Sequence, residues 1–186
     1  MGKLARCLGL LAAMAAPARR GAAPAEPRPA PLSALRPSAD GRSLADETDK
    51  PVFLLADTAW GLAQRLNRAQ AEAYLRQRRA QRFNAVTFVL FVPGKNEITP
   101  GLANVYGHEP FARDGSTPDP TQPLTTPGSD PADPVAYDYW DHVDFLVRLS
   151  RQLGLYAIIL PTWGSGVVGS GAGARAIVDA ALMTGV

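Results

Sequence analysis

Val52-Phe53-Leu54-Leu55-Ala56 is an unbroken apolar run of strand length, preceded by Pro51 and closed by the polar pair Asp57-Thr58. Such a run suits a strand covered on both faces, as in a parallel sheet. A helix is predicted next: Asn67 can cap the first turn, Gln70 sits where a capping box wants it, and good helix formers continue to Gln81, with Ala71, Tyr74 and Leu75 as the buried stripe. A second apolar run, Ala85 to Val92, follows directly. After a long insertion the order repeats. Tyr139 to Leu153 places Trp140, Val143, Val147, Ser150 and Leu153 on neighbouring faces, with Asp141 and Asp144 early and Arg148 and Arg151 late, as the helix dipole prefers. Gly154 fits the left-handed position that ends such a helix, and Leu155 to Leu160 is a third strand stopped by Pro161. Ahead of these units, the Asp40-Gly41 turn and the polar break Glu47–Lys50 predict a small hairpin over residues 36–50.

Alternating strands and helices with apolar strands imply a parallel α/β sheet with right-handed crossovers, and Val52, Leu54, Val86, Phe88, Ile158 and Leu160 are expected to point to one interior. In such folds chemistry collects at the carboxyl ends of the strands, where the loops converge on one rim. The three ends read Asp57-Thr58-Ala59-Trp60, Pro93-Gly94-Lys95-Asn96 and Pro161-Thr162-Trp163-Gly164. Carbohydrates combine flat C–H faces with a ring of hydroxyls, so Trp60 and Trp163 as platforms beside the acceptor Asp57 suit them. The plainer alternatives are that both tryptophans pack where strands meet helices and that Asp57 caps the turn after it. The segment Pro93–Tyr137 is too long for an ordinary loop. Its first part carries apolar anchors, Asn104-Val105-Tyr106-Gly107 and Pro110-Phe111, and is expected to pack over the rim, whereas Asp114–Asp133 carries almost none.

Composition narrows this further. With 46% apolar residues the chain has the material for a core, and its net charge of +2 is scattered, without a basic stripe that would imply nucleic acid. Lys3 and Arg6 before the apolar run Cys7–Ala16 resemble a secretory leader over residues 1–25, too short to span a membrane, followed by a Pro-rich linker over 26–37. Export is the localisation this implies, the alternative being an alanine-rich leader of no targeting value. Cys7 is the single cysteine, so no disulfide framework or CxxC site exists. His108 and His142 lack paired metal-ligand spacing, and His142 is expected to face solvent or cap a neighbour. Asp114–Asp119 lacks the ligand pattern of a calcium loop. No metal or cofactor is expected.

The motifs together resemble the apiosidase-like glycoside hydrolases: Gly41-Arg42 and Pro51–Trp60, Tyr74-Leu75 with Phe83-Asn84, Asn104–Gly107 with Pro110-Phe111, Tyr139-Trp140-Asp141 with Val143-Asp144, and Gly154-Leu155-Tyr156 through Leu160–Gly164. The resemblance covers about residues 36–168 and implies a (β/α)₈ barrel, usually secreted by bacteria to the periplasm or medium, that hydrolyses glycosidic bonds in plant-type polysaccharides with two carboxylates on later strands. The chain then holds an incomplete barrel of about three βα units over residues 38–186, preceded by a short β-hairpin. No catalytic residue is expected within it, and Asp57, Trp60, Asn104, Tyr106 and Trp163 are the residues expected to meet sugar. Two departures stand out: Ala56 replaces a glycine, and Arg82 occupies a helix-ending glycine position at a cost of about 1 kcal/mol. Past Gly169 the resemblance fades. Two function classes follow, the N-terminal part of a secreted glycosidase that is inactive alone, and a non-catalytic carbohydrate-binding or scaffold protein using the aromatic rim.

Overall fold

The structure, a computed structural model, describes residues 31–91, 101–115 and 117–162. In chain order its elements are β1 (Arg36–Pro37), β2 (Leu44–Ala45), β3 (Ala56–Thr58), α1 (Leu62–Arg65), α2 (Arg68–Ala80), β4 (Ala85–Val89), β5 (Phe111–Asp114), β6 (Thr117–Pro123), α3 (Tyr139–Gln152) and β7 (Tyr156–Leu160). β3, β4 and β7 form a parallel sheet in that order, while β1 pairs with β2 and β5 with β6 antiparallel.

The two long helices form where the sequence predicts them, α2 with the capping box expected of it. Asn67 accepts the N–H of Gln70 while Gln70 reaches back to the N–H of Asn67, which satisfies two backbone donors at the start of α2. α3 starts with the same reciprocal pair, Asp138 and Asp141. Gly154 adopts φ 72° behind α3, and Arg82 adopts φ 69° behind α2, the conformation its position demands of a non-glycine residue.

The sheet departs from expectation in two respects. The ladder begins at Ala56, because the side chain of Asn84 takes the place of a neighbouring strand before it: Leu55 donates its N–H to Asn84 Oδ1 at 2.7 Å, and Asn84 Nδ2 donates to the Phe53 carbonyl at 2.7 Å. Consequently the run Val52–Ala56 is not covered on both faces, and Phe53 is 80% exposed. The register also divides the residues expected to share an interior. Val86 pairs with Ala157 and Phe88 with Ile159, which puts Ile158 and Leu160 on the opposite face, since side chains alternate along a strand. Val86 and Phe88 are fully buried in one cluster with Leu75, Val143 and Leu146, so theirs is the face that the helices cover.

The segment between β4 and α3 contains the β5–β6 ladder, which its prolines at positions 118, 120 and 123 hide from a pattern reading. It is pinned to the main core by Phe111, whose ring meets Phe91 edge-on at 4.9 Å and Trp140 at 5.6 Å, and by Trp140 Nε1, which donates to the Pro110 carbonyl at 3.0 Å.

Candidate functional site

Asp57 sits inside β3, in register with Val86, and so points to the helix layer. Its Oδ2 accepts the hydroxyl proton of Tyr74 and lies 3.4 Å from Arg78 Nε, while the Arg78 guanidinium covers the Tyr74 ring at 4.6 Å. The Arg78 contact is an ion pair rather than an aligned hydrogen bond, since the buried Nε has no hydrogen-bond partner. Burial and then the neighbouring Asp57 carboxylate push the Tyr74 hydroxyl above its ordinary value. The three groups tie β3 to α2.

Trp60 follows in the turn after β3, half-buried, with its carbonyl accepting the N–H of Val89 at 3.3 Å. Together with Ala59, Gly61, Leu62, Arg65, Leu66 and Tyr74 it lines an open cleft of about 260 Å³. The wall is aliphatic and aromatic with one guanidinium. α1 forms one side of this cleft and was not legible beforehand, because four residues are too short for a periodic signal.

Asn104 and Tyr106 belong to a second group. Asn104, 5% exposed, folds the loop around itself: its Oδ1 accepts the N–H of Tyr106 at 3.0 Å and of His108 at 3.1 Å. The Tyr106 hydroxyl accepts the N–H of Arg68, the first residue of α2, at 2.9 Å, which satisfies a donor that the helix cannot pair internally. The Tyr106 ring then meets Tyr137 edge-on at 5.5 Å and His142 at 5.3 Å. Since Tyr106 holds Arg68 and Asp57 holds Tyr74, the two groups attach to α2 about 9 Å apart along its axis. Trp163 lies outside the described residues.

His142, expected at the surface or as a cap, is fully buried and does cap a neighbour. Its Nε2 stands 2.9 Å from the carbonyl of Leu66, the residue that ends α1, and its Nδ1 stands 3.1 Å from the Tyr137 hydroxyl. A carbonyl only accepts, so Nε2 carries the proton and Nδ1 accepts from Tyr137. Burial pushes the imidazole down to about 4, which keeps it neutral. Arg68 Nη1 approaches the Tyr137 hydroxyl at 3.4 Å and its guanidinium lies 3.8 Å over the Phe145 ring, so loop, α1, α2 and α3 meet at one point.

Two further carboxylates among the described residues near these loops are also engaged. Glu109 holds Arg113 through both oxygens at 2.6 and 2.7 Å, an ion pair that keeps its carboxyl below the usual range. Asp138 caps α3 with Oδ1 and accepts the Thr126 N–H with Oδ2 at 2.6 Å. Among the described residues no cluster of His, Cys, Asp and Glu has the makings of a metal centre.

Comparison with known proteins gives this architecture a family. A solved structure described as a glycoside hydrolase superposes on 72% of the chain at 30% identity with a TM-score of 0.55. A glycoside hydrolase family 5 structure from Bacteroides vulgatus ATCC 8482 superposes on 81% at 21% identity, also with a TM-score of 0.55, and supports the fold alone. The chain covers 26% and 36% of those two structures. No curated protein sequence matches. Residues 38–183 match the family model described as apiosidase-like, catalytic domain, and the chain therefore belongs to the apiosidase-like glycoside hydrolases.

Proposed function

We propose that these units form the first part of the wall of a secreted (β/α)₈ glycosidase acting on plant-type oligosaccharide or polysaccharide. They contribute sugar-binding surface, and later strands supply the two catalytic carboxylates. The observation that carries the division of labour is the state of three acids among the described residues: Asp57, Glu109 and Asp138 are each bound to a neighbouring side chain or backbone group. A glycosidase needs an acid and a nucleophile or base about 5 to 9.5 Å apart and facing the scissile bond, which an acid bound to its own helix layer does not provide. Trp60 and Tyr106 are the aromatic platforms of this reading, Trp163 a further one, and the leader over residues 1–25 directs export.

The experiment is direct. The purified 186-residue chain is expected to show no turnover of aryl glycosides or pectic oligosaccharides. Hydrolysis that survives purification and vanishes in Asp57→Ala would overturn the assignment of catalysis to later strands. Trp60→Ala in a full-length relative carrying this segment should lower kcat/KM with little change in melting temperature, because a platform residue loses stacking rather than core packing.

A further inference from the structure

Among the described residues, the buried side-chain polar atoms without a hydrogen-bond partner are Gln64 Oε1, Arg78 Nε, Asn104 Nδ2, His108 Nδ1 and Thr162 Oγ1. Arg78 is accounted for by its ion pair with Asp57. The other four all lie in segments that follow the carboxyl ends of strands: Gln64 after β3, Asn104 and His108 after β4, Thr162 after β7. Buried polar groups in native proteins are nearly always paired, and an unpaired one asks for a reason. Four at one end of a parallel sheet, the end where such folds place their ligands, share a reason.

Gln64 and Asn104 say most about the ligand, because each amide is locked in one orientation. Gln64, 0% exposed, donates Nε2 to the Gly101 carbonyl at 2.5 Å and approaches that of Leu102 at 3.4 Å, which leaves Oε1 as the free end. Asn104 spends Oδ1 on two backbone N–H groups, which leaves Nδ2. Flipping either amide would set two like groups against each other, donor to donor or acceptor to acceptor. Residues 101, 102 and 104 belong to one short stretch, so the side chain with the unpaired acceptor is tied to the segment that carries the unpaired donor.

We propose that Gln64 and Asn104 form a hydroxyl-binding pair at this rim, with Gln64 Oε1 accepting from and Asn104 Nδ2 donating to a hydroxyl of a bound glycosyl unit. The proposal rests on the carbohydrate reading above and assigns it atoms. A hydroxyl gives and takes a hydrogen bond at once, whereas a carboxylate or phosphate satisfies only the Asn104 donor and an ammonium only the Gln64 acceptor. A site that buries such groups discriminates strongly against an analogue lacking the hydroxyl, because both protein atoms then stay unpaired.

The test uses the full chain, a set of methyl pentosides and methyl hexosides, and their monodeoxy analogues, with side-chain amide resonances followed by NMR. The expected result is binding that shifts the Asn104 side-chain NH₂ signals and falls at least 100-fold for the analogue missing one particular hydroxyl. Asn104→Asp keeps the oxygen that accepts from Tyr106 and His108 but removes the donor. It should retain the loop and lose binding at least tenfold, the loop being checked by the Tyr106 and His108 amide shifts. Glycosides that bind with no movement of the Asn104 signals and with all monodeoxy analogues equal would overturn the pair while leaving the carbohydrate reading intact. An internal water holding both atoms and undisplaced by bound glycoside would do the same. Failure of every glycoside to bind the wild-type chain would remove both.

Discussion

α2 and α3 start alike, each with a reciprocal capping box, and run for 13 and 14 residues, yet they do different work. α2 buries only Ala71 and Leu75 and otherwise shows solvent a face rich in arginine. α3 buries Tyr139, Trp140, His142, Val143, Leu146, Leu149 and Ser150. The helix that carries the core ends at a glycine, φ 72° at Gly154, and the helix that lies over it ends at Arg82 with φ 69°. Good capping therefore makes both segments helical, but the apolar stripe decides which of them the fold depends on, and strain is tolerated at the end of the less committed one.

The sharpest way to break this contrast is to cut into each helix. Leu146→Ala removes a fully buried side chain from the main cluster and should cost about 2 to 5 kcal/mol, while Arg76→Ala on the outer face of α2, which loses only an exposed pair with Glu72, should cost less than about 1 kcal/mol. Chemical denaturation of the two variants measures the ratio, and similar losses would abolish the distinction between the helices.

The next effect belongs to α3 alone. His142 is held neutral with its ionisation depressed to about 4, so above the unfolded value of 6.5 it is neutral in both states and costs nothing. As pH falls from 6.5 toward 4 the unfolded chain takes up a proton that the folded chain refuses, and stability drops by roughly 3 kcal/mol before levelling off. Carboxylates add their own losses at the acid end, so the measure is the difference in slope between wild type and His142→Phe over this window. Equal slopes would mean that the buried imidazole is accommodated in its charged form.

The smallest effect lies at the two helix ends. Arg82→Gly should stabilise the protein by up to about 1 kcal/mol by releasing a left-handed non-glycine residue, and Gly154→Ala should destabilise it by about the same amount. Thermal melts of the pair would show opposite shifts, and parallel shifts would place the strain elsewhere.

What the sequence revealed follows the same division. Both long helices, the order β3-α2-β4-α3-β7 and the left-handed end at Gly154 were legible, because caps, turns and periodicity are local signals, whereas the left-handed end at Arg82 followed from the family resemblance. Features decided by contacts across the chain were not. Asp57 looked like a strand-end ligand, but its side chain is turned toward Tyr74 by the register of β3 on β4, and no local pattern encodes register. The start of β3 moved because one amide, Asn84, replaces a strand neighbour for Phe53 and Leu55. Asn104 and Tyr106 were legible as anchors of the long segment, while Gln64 and Tyr137 were missed, since neither carries a pattern of its own. The burial of His142 was missed as well, although its position one turn before Leu146 and three residues after Tyr139 would have placed it on the apolar stripe.

The order of strands across the parallel sheet is also their order along the chain. On the ribosome β4 therefore finds β3 already waiting, but its other edge stays bare until β7 emerges, after Val89 and before Tyr156, an interval of roughly 3 to 13 s at ordinary rates of synthesis. What emerges in between includes Phe111–Asp114 and Thr117–Pro123, which pair with each other, and then Pro127, Pro131 and Pro134, residues with no N–H to offer a ladder. The two strands of that interval thus have each other as partners and the stretch after them is poor in donors, so both leave the bare edge open for β7.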